Sequence, residues 1–261
     1  MNPKISVIMS AYNADKYLGE CVESVLSQTF IDFEFIIVND YSTDKTSEIL
    51  NFYSDKDSRV KIINNVKNIG LTKSLNKAFK ESRGEYVARM DADDICILER
   101  FQKQVDFLES NKDYVLVGSW MIIINEEGEE IDHWDSEVDN EKIKIKLIRY
   151  NPLFHPSIMM RSNSLNKVEG YNDDWRYAQD YELYFRLSRL GKFSNLPEYL
   201  LKYRFSKKSI TASKNTSQAL CALRAQWSGI MSGEYSFLNI IFLARPILSI
   251  ILPKSFKDLY K

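Results

Sequence analysis

Asp91, Asp93 and Asp94 put three carboxylates into four consecutive residues, directly after the apolar stretch Glu85 to Met90. Carboxylates crowded this closely repel one another unless a cation neutralises them. Hard oxygen ligands with few protein contacts suit Mg²⁺ or Mn²⁺ held jointly with phosphate groups. Taken alone, the cluster serves equally well as an acidic helix start stabilised by the helix dipole. Two other positions bear on the choice. Asp40 follows a second apolar run, Phe33 to Val38, in the turn VNDYSTD. There its carboxylate can accept the imide N–H of a uracil ring, or close an Asx turn. Tyr12 follows a first such run, Ile5 to Met9, with a ring that can stack on a base or fill a core. The segment SAYNAD lacks the spacing G-x-G-x-x-G, and no P-loop is present, which disfavours a dinucleotide-binding domain and a P-loop nucleotide site.

These residues need elements to carry them. Ile5 to Met9 reads as a strand, followed by a helical stripe of Tyr17, Leu18, Cys21, Val22, Val25 and Leu26. The unit repeats with the strand Phe33 to Val38 and a helix reaching about Tyr53 that Thr43 or Asp44 can cap. A third strand, Val60 to Ile63, precedes a helix carrying Leu71, Leu75, Ala78 and Phe79, and Glu85 to Met90 is a fourth strand. Strands alternating with helices require crossover connections, so the fold class is α/β with a parallel sheet covered on both faces. Ligands in such sheets lie beyond the carboxyl ends of the strands. Tyr12-Asn13, Asn39-Asp40 and Asp91 to Asp94 all fall there.

The second half is less regular. It reads as a helix with Leu98, Phe101, Val105 and Leu108, a strand Tyr114 to Gly118, and a hairpin around Asn125 to Gly128. Lys142 to Leu147 suits either period. Then come a strand Ser157 to Arg161, the polar loop GYNDDWRYAQD, a helix through Leu183, Leu187 and Leu190, and a strand Tyr199 to Phe205. Trp120 and Trp134 are expected to pack in the core or hairpin, and Trp227 along a helix.

The segments SVIMSAYNADKYLGECVESVLSQTF, FEFIIVNDYSTDKT, NIGLTKSLNKAF, GEYVARMDADD and AQDYELYFRL occur in this order. Together they resemble the family 2 inverting glycosyltransferases of the GT-A fold, especially those that build bacterial capsule and O-antigen polysaccharides. The resemblance spans roughly Ile5 to Ile210. It implies a Rossmann-like, mostly parallel sheet with helices on both faces and a smaller acceptor-side subregion. The expected divisions are a nucleotide-sugar-binding half (1–95), an acceptor-binding and catalytic half of the same domain (96–212), and a helical basic and apolar C-terminal appendage (213–261).

The same resemblance implies roles for single residues. Ala11, Tyr12 and Asn13 line a nucleoside pocket, Asp40 reads uracil, and Asn68 and Lys73 border the nucleotide. Arg89, Asp91 and Ala92 touch the donor; Asp91 and Asp93 form the DXD pair for Mn²⁺ or Mg²⁺, with Asp93 the more direct ligand. Asp180 in AQDYEL is the catalytic base for a glycan acceptor, expected to be lipid-linked. His155 in HPSIMMR and Trp175 are acceptor-side candidates; a hydrogen-bonded structural histidine and a packed tryptophan are the competing readings. The implied reaction moves a hexose or N-acetylhexosamine from a UDP-sugar, with a GDP- or dTDP-sugar or a non-catalytic binding module as alternatives.

The chain departs from the pattern in places. Tyr203-Arg204-Phe205-Ser206 stands where many relatives have Y-R-x-H, which removes an expected third metal ligand. Leu98 replaces a helix-start proline and Gln179 replaces the glutamate before the base. The Q-x-x-R-W motif of processive synthases is absent, so one sugar per encounter is expected.

Composition bounds the rest. A formal net charge of -1 offers no electrostatic case for nucleic acid, and 44% hydrophobic with 27% charged residues suits a globular protein of 261 residues. Three scattered cysteines, Cys21, Cys96 and Cys221, give neither a disulfide framework nor a zinc site. With no signal-like leader and no apolar run of about 18 residues, a cytoplasmic placement is expected. From Leu201 onward ten Lys or Arg face two acids, and Phe237 to Leu252 is apolar, broken by Arg245-Pro246 and followed by Lys254 and Lys257. Residues 236–261 are therefore a candidate peripheral contact with the inner face of the cell membrane, or else a core-covering or dimer-forming helical hairpin. The oligomeric state is not readable.

Overall fold

The computed structural model describes residues 2–206, 215–233 and 235–251. Strands and helices alternate through the first part as β1 (Ile5–Ala11), α1 (Leu18–Leu26), β2 (Phe33–Asn39), α2 (Thr46–Lys56), β3 (Val60–Asn64), α3 (Leu71–Glu81) and β4 (Tyr86–Arg89). There follow β5 (Ile95–Cys96), α4 (Arg100–Ser110), β6 (Tyr114–Ile124), β7 (Glu130–Trp134) and α5 (Asn140–Leu147). A 3-10 turn at His155–Ser157 leads into β8 (Met159–Arg161), α6 (Ser162–Lys167), α7 (Gln179–Leu187) and β9 (Lys192–Arg204). The chain continues through α8 (Asn215–Met231), a 3-10 segment Phe237–Leu243 and α9 (Ala244–Ile251).

The strands form one nine-stranded sheet in the order β3-β2-β1-β4-β8-β6-β9-β5, with β7 paired to β6. β1 runs parallel to β2 and β4, and β2 parallel to β3. The short antiparallel strand β8 bridges β4 to β6, and β6 runs parallel to β9 along most of its length. Successive residues of the central strands point into different cores: Val7, Met9, Phe35 and Ile37 into one, Ile8, Ile36 and Val38 into the other. That is why these strands read as unbroken apolar runs, since a parallel sheet buries both faces. α1, α2 and α4 cover the first face through Leu18, Val22, Leu50 and Phe101. α3, α5 and α7 cover the second through Leu75, Ile143 and Leu183.

Several expectations about elements are refined. α2 begins at Thr46, and Asp44 works from outside it, its carboxylate accepting from Thr46 N at 3.0 Å and from Asp15 N at 3.1 Å. Lys142 to Leu147 is helical, because Asp139 caps the Lys142 N–H at 3.1 Å while Ile143 and Leu147 reach the core. The hairpin turn at Asn125 is present, with Gly128 at φ 88. The final strand is longer than Tyr199 to Phe205 because pairing with β6 extends it back to Lys192. Leu98 and Leu190 are exposed and lie outside the helices assigned to them. Pro246 sits in the first turn of α9, where its missing N–H costs nothing, so a helix restarts there rather than ending. The boundary between 212 and 213 lies outside the described residues. Among the described residues no helix is long and apolar enough to cross a membrane.

One buried group holds the two halves of the sheet together. Arg100, at the start of α4, is fully buried; its Nη2 donates to Arg89 O at 2.9 Å and Ile158 O at 3.3 Å, and its Nε donates to Gln104 at 3.1 Å. Gln104 in turn donates to Ser157 O at 2.7 Å. The end of β4 and the approach to β8 are thus fixed by one guanidinium. Arg100→Met is expected to lower the unfolding free energy by about 2 kcal/mol, the scale of buried acceptors left unpaired. Urea unfolding checks this, and an unchanged midpoint would remove the role.

Candidate active site

The carboxyl ends of β1, β2 and β4 meet as expected, and the acidic cluster forms the turn after β4. Asp91, Asp93 and Asp94 each offer an oxygen within 4.8 Å of the others. Arg89, at the end of β4, donates from Nη2 to Asp91 Oδ1. Asp94 is fully buried, with Oδ1 accepting from Arg204 N at 2.9 Å and Oδ2 without a partner among the described residues. Burial, with the Asp91 charge second, pushes the Asp93 carboxyl up to about 6, and the same causes lift Asp94 well above the carboxylate range. Clustered oxygens, an unpartnered one among them and too little positive charge nearby, fit a divalent cation of the Mg²⁺ or Mn²⁺ kind.

Arg204 is the site residue that sequence reasoning undervalued. From the end of β9 its Nε donates to Asp93 O at 3.0 Å and its Nη1 to Asn125 O at 3.2 Å, while Nη2 reaches Glu20. The guanidinium lies 4.2 Å over the Tyr17 ring. It therefore clamps the acidic turn between the first helix and the hairpin. The signal in the sequence is the Tyr203-Arg204 pair itself. Ser206, at that position, hydrogen-bonds Glu126 at 3.2 Å.

At the nucleoside end Tyr12 is 52% exposed, its ring open to a ligand. Asn13, at φ 48, ties two loops together: its N–H donates to Ser42 Oγ at 3.1 Å, and its Oδ1 accepts from Thr43 N at 2.9 Å. Ala11 is buried, and its carbonyl accepts from Asp40 N at 2.8 Å. Asp40 is also buried. Its Oδ1 accepts from Asn65 Nδ2 and Ile69 N, both at 2.8 Å, and its Oδ2 from Gly70 N at 2.8 Å. Asn68 donates to Asp40 O at 3.3 Å, and Lys73 is exposed on α3. Asp40 is thus first a clamp on the loop before α3, with lone-pair capacity left on Oδ2. Ala92 is buried inside the acidic turn.

Asp180 stands at the second position of α7, and Asn151 Nδ2 donates to its Oδ2 at 2.7 Å. Burial raises this carboxyl, against lowering by the Tyr181 backbone N–H, the Arg89 charge, its own backbone N–H and the Asn151 hydrogen bond. Arg89 also has Nε and Nη1 buried without partners among the described residues. One guanidinium therefore acts on both the metal-type cluster and the base candidate.

At the two acceptor-side candidates the structural alternatives are the ones observed. His155 is buried, with Nε2 2.8 Å from Tyr171 Oη, and burial holds its ring well below the usual histidine value, hence neutral. Trp175 is 4% exposed in the second core under the Arg224 guanidinium, 4.7 Å above its ring. Its polar loop is folded inward by Thr72, whose hydroxyl donates to Trp175 O at 2.7 Å. Neither side chain is placed as an open platform.

The model of the family described as Glycosyl transferase family 2 matches residues 6–174. The chain belongs to glycosyl transferase family 2. The transferase is 35% identical over 214 residues to the O-antigen biosynthesis glycosyltransferase WbnJ of Escherichia coli, covering 80% of this chain and 82% of that one. It shares its fold with S. aureus TarS 1-349 in complex with UDP-GlcNAc, at TM-score 0.77 and 21% identity, over 99% of this chain and 76% of that one. It also shares it with the mannosyltransferase PcManGT from Pyrobaculum calidifontis in complex with GDP-Man and Mn²⁺, at TM-score 0.66 and 16% identity, over 95% of this chain and 74% of that one. The GT-A fold expected from the motifs is the one observed.

The acidic turn sets a pH-dependent expectation. A carboxyl whose folded value lies above its unfolded one keeps its proton more tightly when folded, so stability is lost as pH rises through the folded value. For Asp93, raised to about 6, the loss falls between the ordinary carboxylate range and about pH 6. A divalent ion binds the ionised form and reverses this loss. The rise in melting temperature on adding Mn²⁺ should therefore be larger at about pH 7 than at about pH 5. Equal rises at both would contradict the assignment.

Proposed function

We propose that the transferase moves a hexose or N-acetylhexosamine from a UDP-sugar to a glycan acceptor, one residue per encounter and with inversion, in the assembly of a bacterial surface polysaccharide. The observation that carries this reading is the pairing of an under-neutralised acidic turn with a second, half-buried carboxylate, Asp180, both acted on by the Arg89 charge. The UDP-GlcNAc complex of TarS supports a UDP-sugar donor, and the O-antigen role named for WbnJ supports the polysaccharide product.

In this reading Tyr12 stacks on the base, and Asn13, Asp40, Asn68 and Lys73 shape the nucleoside pocket around it. Asp91 and Asp93 hold the cation, with Asp94 and Arg204 fixing the turn from behind. When bound, Mn²⁺ or Mg²⁺ offsets the charge of the departing diphosphate as a Lewis acid. Arg89 supplies buried N–H donors beside the reacting centre. Asp180 takes the proton of the acceptor hydroxyl as its oxygen bonds to the anomeric carbon, opposite the bond to the leaving diphosphate. Single in-line displacement inverts that carbon. A carboxyl raised by burial is suited to the task, since a base works best with its pKa near the working pH.

A lipid-linked acceptor would bring the transferase to a membrane surface. Phe237, Leu238 and Ile241 are 65%, 81% and 66% exposed on the 3-10 segment, with Arg245 exposed just beyond. This supports the peripheral contact expected of residues 236–261, of which Lys254 and Lys257 lie outside the described residues.

Asp180→Asn keeps the side-chain shape and removes the base. UDP-sugar affinity by calorimetry should be nearly unchanged, while single-turnover transfer falls by a factor of roughly 10² to 10⁴. Transfer at the normal rate would move the base elsewhere. A thermal-shift panel of UDP, GDP and dTDP with Mn²⁺ tests the donor; stabilisation by GDP alone would favour a GDP-sugar, as in the PcManGT complex.

A further inference from the structure

The mechanism above gives Asp180 a task but leaves open how a carboxylate on a helix start is aimed and kept ready. Its side-chain partner is Asn151, in the loop between α5 and the His155–Ser157 turn. Nothing in the sequence motifs pointed to this residue.

The amide is oriented by its other bond. Asn151 Oδ1 accepts from Leu153 N at 3.1 Å. A backbone N–H only donates, so the atom facing it must be the oxygen, and the NH₂ must then face Asp180. The loop is anchored on both sides: Leu153 is buried in the second core, Pro152 O accepts from Ser136 Oγ and from Asn195 Nδ2, and Arg149 O accepts from Gln226 Nε2 at 3.1 Å. The donor to Asp180 is therefore built into the fold.

We propose that Asn151 is a positioning residue for the base, occupying Oδ2 of Asp180 so that Oδ1 alone is presented to the acceptor hydroxyl. The inference rests on Asp180 being the base. Oδ2 accepts from Asn151 at 2.7 Å, while no described side chain hydrogen-bonds Oδ1. Asp180 is only partly exposed, so a substrate meets it from a limited direction.

The same bond adds to the groups that favour the charged form of the base against burial, alongside the Tyr181 and Asp180 backbone N–H groups and the Arg89 charge. The titratable groups acting on Asp180 are Arg89 from β4, Tyr171 from the loop before α7, and Tyr181 and Tyr184 on α7 itself. The three tyrosines are pushed up by burial and stay protonated, so Arg89 is the cation among them. Asn151 adds a neutral donor that favours the carboxylate over the acid. Removing it should leave the protein folded and the donor bound, but with a base that ionises at higher pH.

The test is the pH dependence of single-turnover transfer from about pH 5 to about pH 9, with UDP-sugar affinity measured alongside. Asn151→Ala should move the acid limb upward by about one pH unit, the scale of one lost hydrogen bond to a charged group, and leave UDP-sugar affinity within about twofold. Asn151→Asp retains an acceptor for Leu153 N and so keeps the turn, but sets a second carboxylate against Asp180. The two then share a proton, and the limb should move further than in the alanine variant. A rate reduced by one factor at every pH, with the limb unmoved in both variants, would overturn the proposal. Asp180→Asn, measured in parallel, separates the two claims. An active Asp180→Asn overturns the base assignment itself, whereas an inactive one beside unmoved limbs overturns only the role of Asn151.

Discussion

Three carboxylates in the turn after β4 share a space that two buried guanidinium groups only partly neutralise. Arg89 bonds the Asp91 carboxylate from the end of β4, while at the end of β9 the Arg204 guanidinium bonds the Asp93 carbonyl and the Arg204 backbone N–H donates to the Asp94 carboxylate. Each arginine is supplied by a different part of the sheet, so the charge balance exists only when both halves have come together. An acidic turn of this kind is costly with so little opposing charge, and its oxygens fit a divalent cation.

The sheet is the means of assembly. Parallel pairing of β1 with β2 and β4 brings three carboxyl ends to one edge, and the short antiparallel β8 joins that edge to the long β6–β9 pair. Arg100 ties the junction from within by bonding the carbonyls of Arg89 and Ile158. The base candidate arrives separately on α7, whose face packs with α3 in the second core. The acidic turn and the base candidate thus come from different parts of the chain, and the Arg89 charge acts on both.

How much of this was legible from sequence depended on whether the signal was local. β1 to β4 and their helices follow from apolar periodicity, because a strand buried on both faces leaves an unbroken run and a covering helix leaves a stripe. Asp91 to Asp94, Asp40 and Asp180 were visible as ordered motifs. The partners that decide what those acids do were not. Arg204 lies 110 positions from Asp94, and Asn151 lies 29 from Asp180; no spacing rule relates them. For Trp175 the polar neighbours in sequence leave a sugar platform and a packed ring equally open, because Thr72 and Arg224, which hold it in the core, come from α3 and α8. Asp40 suits a uracil contact or an Asx turn in the sequence, and the clamp it forms is not legible there because the N–H groups it accepts belong to the loop before α3, built by a later strand and turn.

The central claim is that the acidic turn is completed by a divalent ion shared with a nucleotide diphosphate. Diffraction at the manganese edge, from crystals grown with UDP and Mn²⁺, addresses it most directly. One strong anomalous peak bonded to a carboxylate oxygen of Asp93 and to the diphosphate is the result this account predicts. Well-ordered UDP in the same pocket with no anomalous peak between Asp91 and Asp94 would contradict it.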